Sequence, residues 1–150
     1  MNLMMLHLSL THQAHQMNIR LPIRVSLGVK KIKTYSLNLN AFRNWQHYLK
    51  NNIKQEFHRL VTPLIPTGKT YTKFRLVYTL YVPDKRKVDI ANVLSIVDKN
   101  FCDTLVETGV IEDDNYEHLQ EITFRFGGIS PKNGYATVEV LPNDKHIDIK

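Results

Sequence analysis

The sequence is poor in the residues that staple, anchor or metallate small proteins. One cysteine, Cys102, stands among 150 residues, so no internal disulfide can form and the cysteine-pair spacings of zinc sites are absent. No apolar run approaches the roughly 18 residues of a membrane span. There is no phosphate-cradling glycine loop and no G-x-S-x-G elbow. The first residues, "MNLMMLHLSLTHQAHQ", are apolar but lack a basic region ahead of them and a small-residue cleavage site, so they read poorly as a secretory leader. Together these absences point to a reducing cytoplasm and to no membrane partner.

What remains is enough for one domain, because a chain of this length buries about 70% of its unfolded surface without staples. Residues 1–17 form a poorly defined amino-terminal segment and 18–150 a single domain; Met17 opens the more regular "MNIRLPIRVSL" and could itself be the start. His7, His12 and His15 fall in the irregular segment, where a metal site would lack an ordered frame, and His47 and His58 fall on a solvated helix face.

The formal charge is +6, and the cations are clustered. "GVKKIK" holds Lys30, Lys31 and Lys33, and "DKRKVD" holds Lys85, Arg86 and Lys87. Such clusters suit a polyanionic partner, although a solvated basic surface explains the charge equally well. The second cluster adjoins "VDIANVLSIVDKNFCDTLVETGVIEDDN", which carries five aspartates. Carboxylates beside a phosphate-binding surface need metal ions and cations to offset them, which favours nucleic acid.

Periodicity gives the framework. Ile19–Leu27 alternates as a strand, and "GVKKIKTYSLNLN" is a basic turn or ribbon. Asn40 is positioned as the N-cap of a helix running to about Val61, with Phe42, Trp45, Leu49, Ile53, Phe57 and Leu60 as its apolar stripe. On that stripe Trp45 is a core residue rather than a base-stacking platform. "KFRLVYTLYVP" is a strand, the aspartate-rich run is a helix ending near Gly109, and "EITFRFGG" and "YATVEVLP" are strands joined by "GISPKNG". The expected class is α+β, a mixed sheet packed against two main helices.

At 100° per residue, Ile90, Val93, Leu94, Val97, Phe101 and Leu105 line one side of the second helix. Asp89, Asn92, Lys99 and Asp103 line another, with Asp98 between the two. Taken singly these residues are ordinary: Asp89 is a good N-cap, Lys99 and Asp103 an i,i+4 ion pair, and Asp113 and Asp114 turn residues. Cys102 is a small buried side chain. Taken together, a basic loop, an aspartate at a strand-to-helix junction, a lysine and a later aspartate pair are oxygen and cation donors suited to Mg²⁺ and phosphate.

The order D…N…DK…D-x-L…G…DD after a strand ending in proline resembles the RusA-like endodeoxyribonucleases, Holliday junction resolvases common in phages and prophages. The resemblance spans about Ile19 to Val140; its specific part is Lys85–Asn115, and "KTYSLNLNAFRNW" is similar to the family's basic entry to its first helix. It implies a RusA-like fold, a homodimer, Mg²⁺-dependent cutting of four-way junctions or other branched DNA, and a place in recombination or repair in a bacterial or phage-infected cell. It also implies that Asp89 and Asp114 are Mg²⁺ ligands, with Asp113 and Lys99 completing the catalytic set and Asn92 and Asp103 supporting it. Lys85, Arg86, Lys87, Lys30, Lys31 and Lys33 would bind DNA. Two departures stand out. Ala91 replaces the family's second aspartate, and Lys99 comes one helical turn late, with Ser95 where the lysine would otherwise fall. The alternative reading is therefore a catalytically impaired or inactive junction-binding protein.

Overall fold

The computed structural model describes residues 16–143, so the three amino-terminal histidines and the tail beyond Asn143 lie outside the described residues. Strand β1 (Met17–Pro22) is followed by a hairpin of β2 (Arg24–Leu27) and β3 (Lys33–Ser36), then by helices α1 (Leu39–Asn44) and α2 (His47–Val61). A short 3₁₀ turn (Thr62–Leu64) leads to β4 (Phe74–Val82), α3 (Ile90–Glu107), β5 (Leu119–Ile129) and β6 (Tyr135–Pro142). The main sheet has the order β1-β6-β4-β5; β4 runs parallel to β5, and the other pairings are antiparallel. The architecture is therefore α+β with a mixed four-stranded sheet. Among the described residues no helix is long and apolar enough to cross a membrane.

One face of the sheet makes the core. Met17, Ile19 and Leu21 of β1, Ala136, Val138 and Val140 of β6, and Phe74, Leu76, Tyr78 and Leu80 of β4 are all buried. Their period of two places them on one side, where they meet Ile53, Phe57 and Val61 of α2 and Val93, Leu94, Val97, Phe101 and Leu105 of α3. The other face carries polar and aromatic residues. There Tyr81 and Tyr135 stack at 4.7 Å, and the Arg20 guanidinium lies 3.6 Å from the Tyr135 ring centre.

Two boundaries differ from those expected. Ile19–Leu27 is two strands in two sheets, because the chain bends after Pro22: β1 joins β6 and β2 turns back on β3. The helix expected from Asn40 to Val61 is two helices. Asn38, not Asn40, caps the first, its Oδ1 accepting from the Ala41 N–H at 2.8 Å, and the chain is extended at Trp45 and Gln46 before α2 begins. Trp45 sits at that break, half-buried, edge-on to Phe42 and Tyr35. It packs against the core as expected, but as a corner.

Helix α3 ends as its sequence implies. Gly109 has φ 76°, and the N–H groups of Gly109 and Val110 donate to the carbonyls of Val106 and Leu105. This is the Schellman arrangement, which needs a left-handed residue and so favours glycine.

Because α1 is short, its cap carries much of its stability, whereas α2 is held by burial. Asn38→Ala is expected to cost about 1 kcal/mol, and Phe57→Ala, which empties a fully buried site, about 3–5 kcal/mol. Urea midpoints of the two variants against the wild type check both; equal losses would show that burial does not dominate here.

Candidate functional site

One cluster of basic residues lies at the end of the sheet where β4 finishes. The loop from Pro83 to Asp89 carries Lys85, Arg86 and Lys87, all exposed. Arg86 folds onto Asp84, with Nη2 2.8 Å from one carboxylate oxygen, Nε 3.1 Å from both, and its backbone N–H donating at 2.9 Å. The hydrogen bonds from Arg86 hold the Asp84 carboxyl below its usual range. Lys85 and Lys87 thus carry the loop's net positive charge. Lys30 and Lys31 occupy the exposed turn of the β2–β3 hairpin, and Lys33 opens β3 with its ammonium 5.3 Å over the Tyr35 ring. That turn needs glycine at position 28: φ is 116°, and a Cβ there would lie 2.1 Å from the Lys31 carbonyl oxygen. The hairpin's base, Arg24 and Ser36, and the loop residues Asp84, Arg86 and Lys87 line one cleft of about 340 Å³. The base of the hairpin thus meets the basic loop, while Lys30 and Lys31 sit at the hairpin's other end.

Asp89 closes the basic loop, in a structural position. It is the N-cap of α3, its Oδ1 accepting from the Ala91 N–H at 3.1 Å, while its backbone carbonyl accepts from Asn92. Ala91 is exposed on the first turn, and Asn92 is half-buried beside it.

The remaining aspartates gather elsewhere. Asp98, expected to point away from the site, turns toward the sheet and accepts a hydrogen bond from the Tyr78 hydroxyl at 2.6 Å, with the Cys102 Sγ at 3.4 Å. Asp114 interacts electrostatically with Asp98, with Asp103 and with the Cys102 thiol. Burial raises the Asp98 pKa, and Asp114 raises it further against the lowering effect of the Tyr78 and Cys102 hydrogen bonds. Burial also raises Asp114, aided by Asp113. Asp113 moves down because the Asp114 N–H donates to it at 2.7 Å, with Asn115 Nδ2 at 2.9 Å. Burial, with the neighbouring Asp98 charge, pushes the Tyr78 hydroxyl and the Cys102 thiol up.

Topology keeps Asp89 and Asp114 apart. Parallel pairing sets Leu119 opposite Phe74, and Tyr71 bridges Ile111, so the turn from 112 to 118 lies near the start of β4, whereas Asp89 follows its end. The carboxylates that Asp114 meets are nine and fourteen positions beyond Asp89, about 13 Å and 21 Å along the helix. Lys99 is exposed on α3, and Asp103 pairs with Lys54 of α2 at 3.5 Å rather than serving only its own helix. Lys54 and His58 also approach Glu107, at 3.5 and 3.2 Å, tying the two helices together.

The chemistry available is therefore a set of carboxylates, Asp98 and Asp103 within electrostatic range of Asp114, away from the basic loop. Among the described residues no three His, Cys, Asp or Glu side chains converge as a ready metal cage. Such carboxylates are donors of the kind Mg²⁺ takes, one or two at a time with several waters, and repulsion between neighbouring carboxylates is what a divalent cation relieves. The vacancy at Ala91 does not touch this set. Asp98 was hard to find from the helical wheel, since it falls between two stripes; the available signal was a buried tyrosine in the preceding strand and Cys102 at i+4.

A carboxyl whose pKa is raised by folding holds its proton more tightly in the native chain. Its contribution to stability is greatest below the unfolded value and is lost as pH rises from there through the native value. Asp98→Asn keeps an oxygen for Tyr78 and removes the titration. It is expected to flatten the decline in stability above about pH 4, measured as melting temperature across a pH series. Wild-type and variant curves that stay parallel would show that Asp98 has no raised pKa.

No protein-family model matches this chain, and no curated protein matches it either, so what these residues do has to be read from their own geometry.

Proposed function

We propose that this protein is a Mg²⁺-dependent endonuclease acting on branched DNA, of the RusA-like kind and working as a homodimer in a bacterial or phage-infected cytoplasm. The supporting observation is that a basic loop leads into α3, and that Asp98 on the helix flank is in electrostatic range of Asp114 in the turn beyond the helix. The interval of about 13 Å between Asp89 and Asp98 along the helix axis corresponds to about four base-pair steps of duplex rise, a span over which one bound DNA segment would reach both the basic loop and the carboxylates.

Asp98 and Asp114 would hold the ion, in place of the Asp89–Asp114 pair that the resemblance implied. An ion held by these carboxylates would supply a water of lowered pKa and positive charge beside a phosphodiester. The protein's own groups do the positioning. Lys85, Lys87, Lys30 and Lys31 hold phosphates, contacts that orient DNA without reading its sequence. Tyr78 fixes Asp98 through its hydroxyl, and Asp113 shapes the turn that presents Asp114. A four-way junction has two equivalent strands, which a two-fold dimer matches.

One observation favours the binding-only alternative: Asp98 already takes hydrogen bonds from Tyr78 and Cys102, so an ion must compete with internal donors. A labelled four-way junction incubated with and without Mg²⁺ separates the readings. The expected result is Mg²⁺-dependent nicking, reduced at least about tenfold by Asp114→Asn while junction binding persists. Ala91→Asp should leave the rate unchanged. Binding without cleavage at any Mg²⁺ concentration would identify the inactive relative, and no binding would overturn both readings.

The triple change Lys85→Ala, Arg86→Ala, Lys87→Ala should weaken junction binding and reduce its salt slope by about 2 rather than 3, since Arg86 is already engaged by Asp84. Filter-binding titrations over a salt series measure this, and an unaltered slope would remove the loop from the DNA surface.

A further inference from the structure

Strand β5 is an edge of the main sheet: it pairs with β4 on one side and, among the described residues, with no strand on the other. Edge strands are ordinarily kept short or blunted by charge and proline. The opposite edge, β1, fits that pattern, with six residues ending in Pro22 and with Asn18 and Arg20 exposed. β5 does not. It has eleven residues, and Ile122, Phe126 and Ile129 are 43%, 56% and 47% exposed.

The sequence of this edge is self-complementary. In "LQEITFRF", Glu121 and Arg125 stand two places either side of Thr123, and Ile122 and Phe124 one place either side. In an antiparallel pair of identical strands centred on Thr123, Glu121 of each copy faces Arg125 of the other, and Ile122 faces Phe124. Phe126 then lies diagonal to Ile122, within reach of an aromatic side chain. A shift of the centre by one residue opposes Glu121 to Thr123 or to Gly127 and loses both charge pairs. The register shift after Leu80 ends the regular run at Phe126, which bounds the segment.

We propose that β5 pairs antiparallel with β5 of a second copy of this chain, in register at Thr123, joining the two main sheets into one of eight strands. The inference rests on the edge alone and holds whether or not the protein cuts DNA. A two-fold axis perpendicular to the sheet leaves both α3 helices on the same side. Tyr78, the partner of Asp98, is paired with Phe124, one residue from the axis. The two Asp98 carboxylates therefore share one face near the dyad. The basic loops go to opposite ends, because Ile129, opposite Val82, is six residues or about 20 Å from Thr123.

Cysteine cross-linking tests the register. Thr123→Cys places its Cα about 4.5–5.5 Å from its equivalent, within disulfide reach; Glu121→Cys is offset by four residues, about 13 Å, and out of reach. Under mild oxidation the first is expected to form a covalent dimer and the second to remain uncrosslinked, with the wild type, whose Cys102 is buried, as control. Sedimentation supplies a second reading that does not depend on a cysteine variant folding. Glu121→Arg and Arg125→Glu should each weaken the dimer about fivefold or more, and the double exchange should restore it. Circular dichroism confirms that each variant is folded. A monomer at the highest attainable concentration, a dimer in which Thr123→Cys does not cross-link, or a double exchange that fails to restore association would each overturn the proposal.

Discussion

Parallel pairing of β4 with β5 is the constraint on which the rest depends. Two parallel neighbours cannot be joined by a tight turn, so the chain must return the full length of the strand before β5 begins. Helix α3 makes that return: its 18 residues span about 27 Å, close to the roughly 30 Å of the nine residues of β4. Everything between Pro83 and Asp89 is thereby sent to one end of the sheet, and the turn carrying Asp113 and Asp114 toward the other. The separation of the basic loop from that turn follows from strand direction before any side chain is considered.

Within that frame the position of Asp98 is fixed by a core residue with a polar end. Tyr78 lies in the centre of the apolar face, edge-on to Phe101 and Phe124 at 6.3 and 5.8 Å, yet its hydroxyl must be satisfied. Asp98 supplies the acceptor, which draws a carboxylate inward from a helix flank. Packing and acidity are coupled here, since the same burial that holds the ring raises the pKa of its partner. On the other flank, Lys54 and His58 bind Asp103 and Glu107 to α2, so α3 is anchored on both sides.

Much of the fold was legible in the sequence because it rests on period alone. The alternation of β4 and β6, the apolar stripe from Val93 to Leu105 and the stop at Gly109 are all local patterns, and each appears where expected. The break at Trp45 was not legible, because the stripe continues through it; only tertiary packing of Tyr35 and Phe42 around the indole makes it a corner. The placement of the candidate site residues was legible only in part. Asp114 and the basic loop are exposed as residue pattern suggests, but Asp89 matched a motif while its geometry is that of a helix cap. That Asp114 comes within electrostatic range of Asp98 rather than Asp89 depends on strand direction and on a hydroxyl reaching from the sheet, neither of which a helical wheel represents.

The sequestered thiol of Cys102 has a consequence for kinetics. With burial and adjacent carboxylates raising its pKa, almost none of it is thiolate at neutral pH, and the nucleophilic form needed by an alkylating reagent is suppressed twice, by charge and by access. It can react at an ordinary rate only in molecules where α3 has lifted from β4. The pace at which a thiol reagent consumes this single residue is therefore a clock for the opening of that interface, read without any added probe.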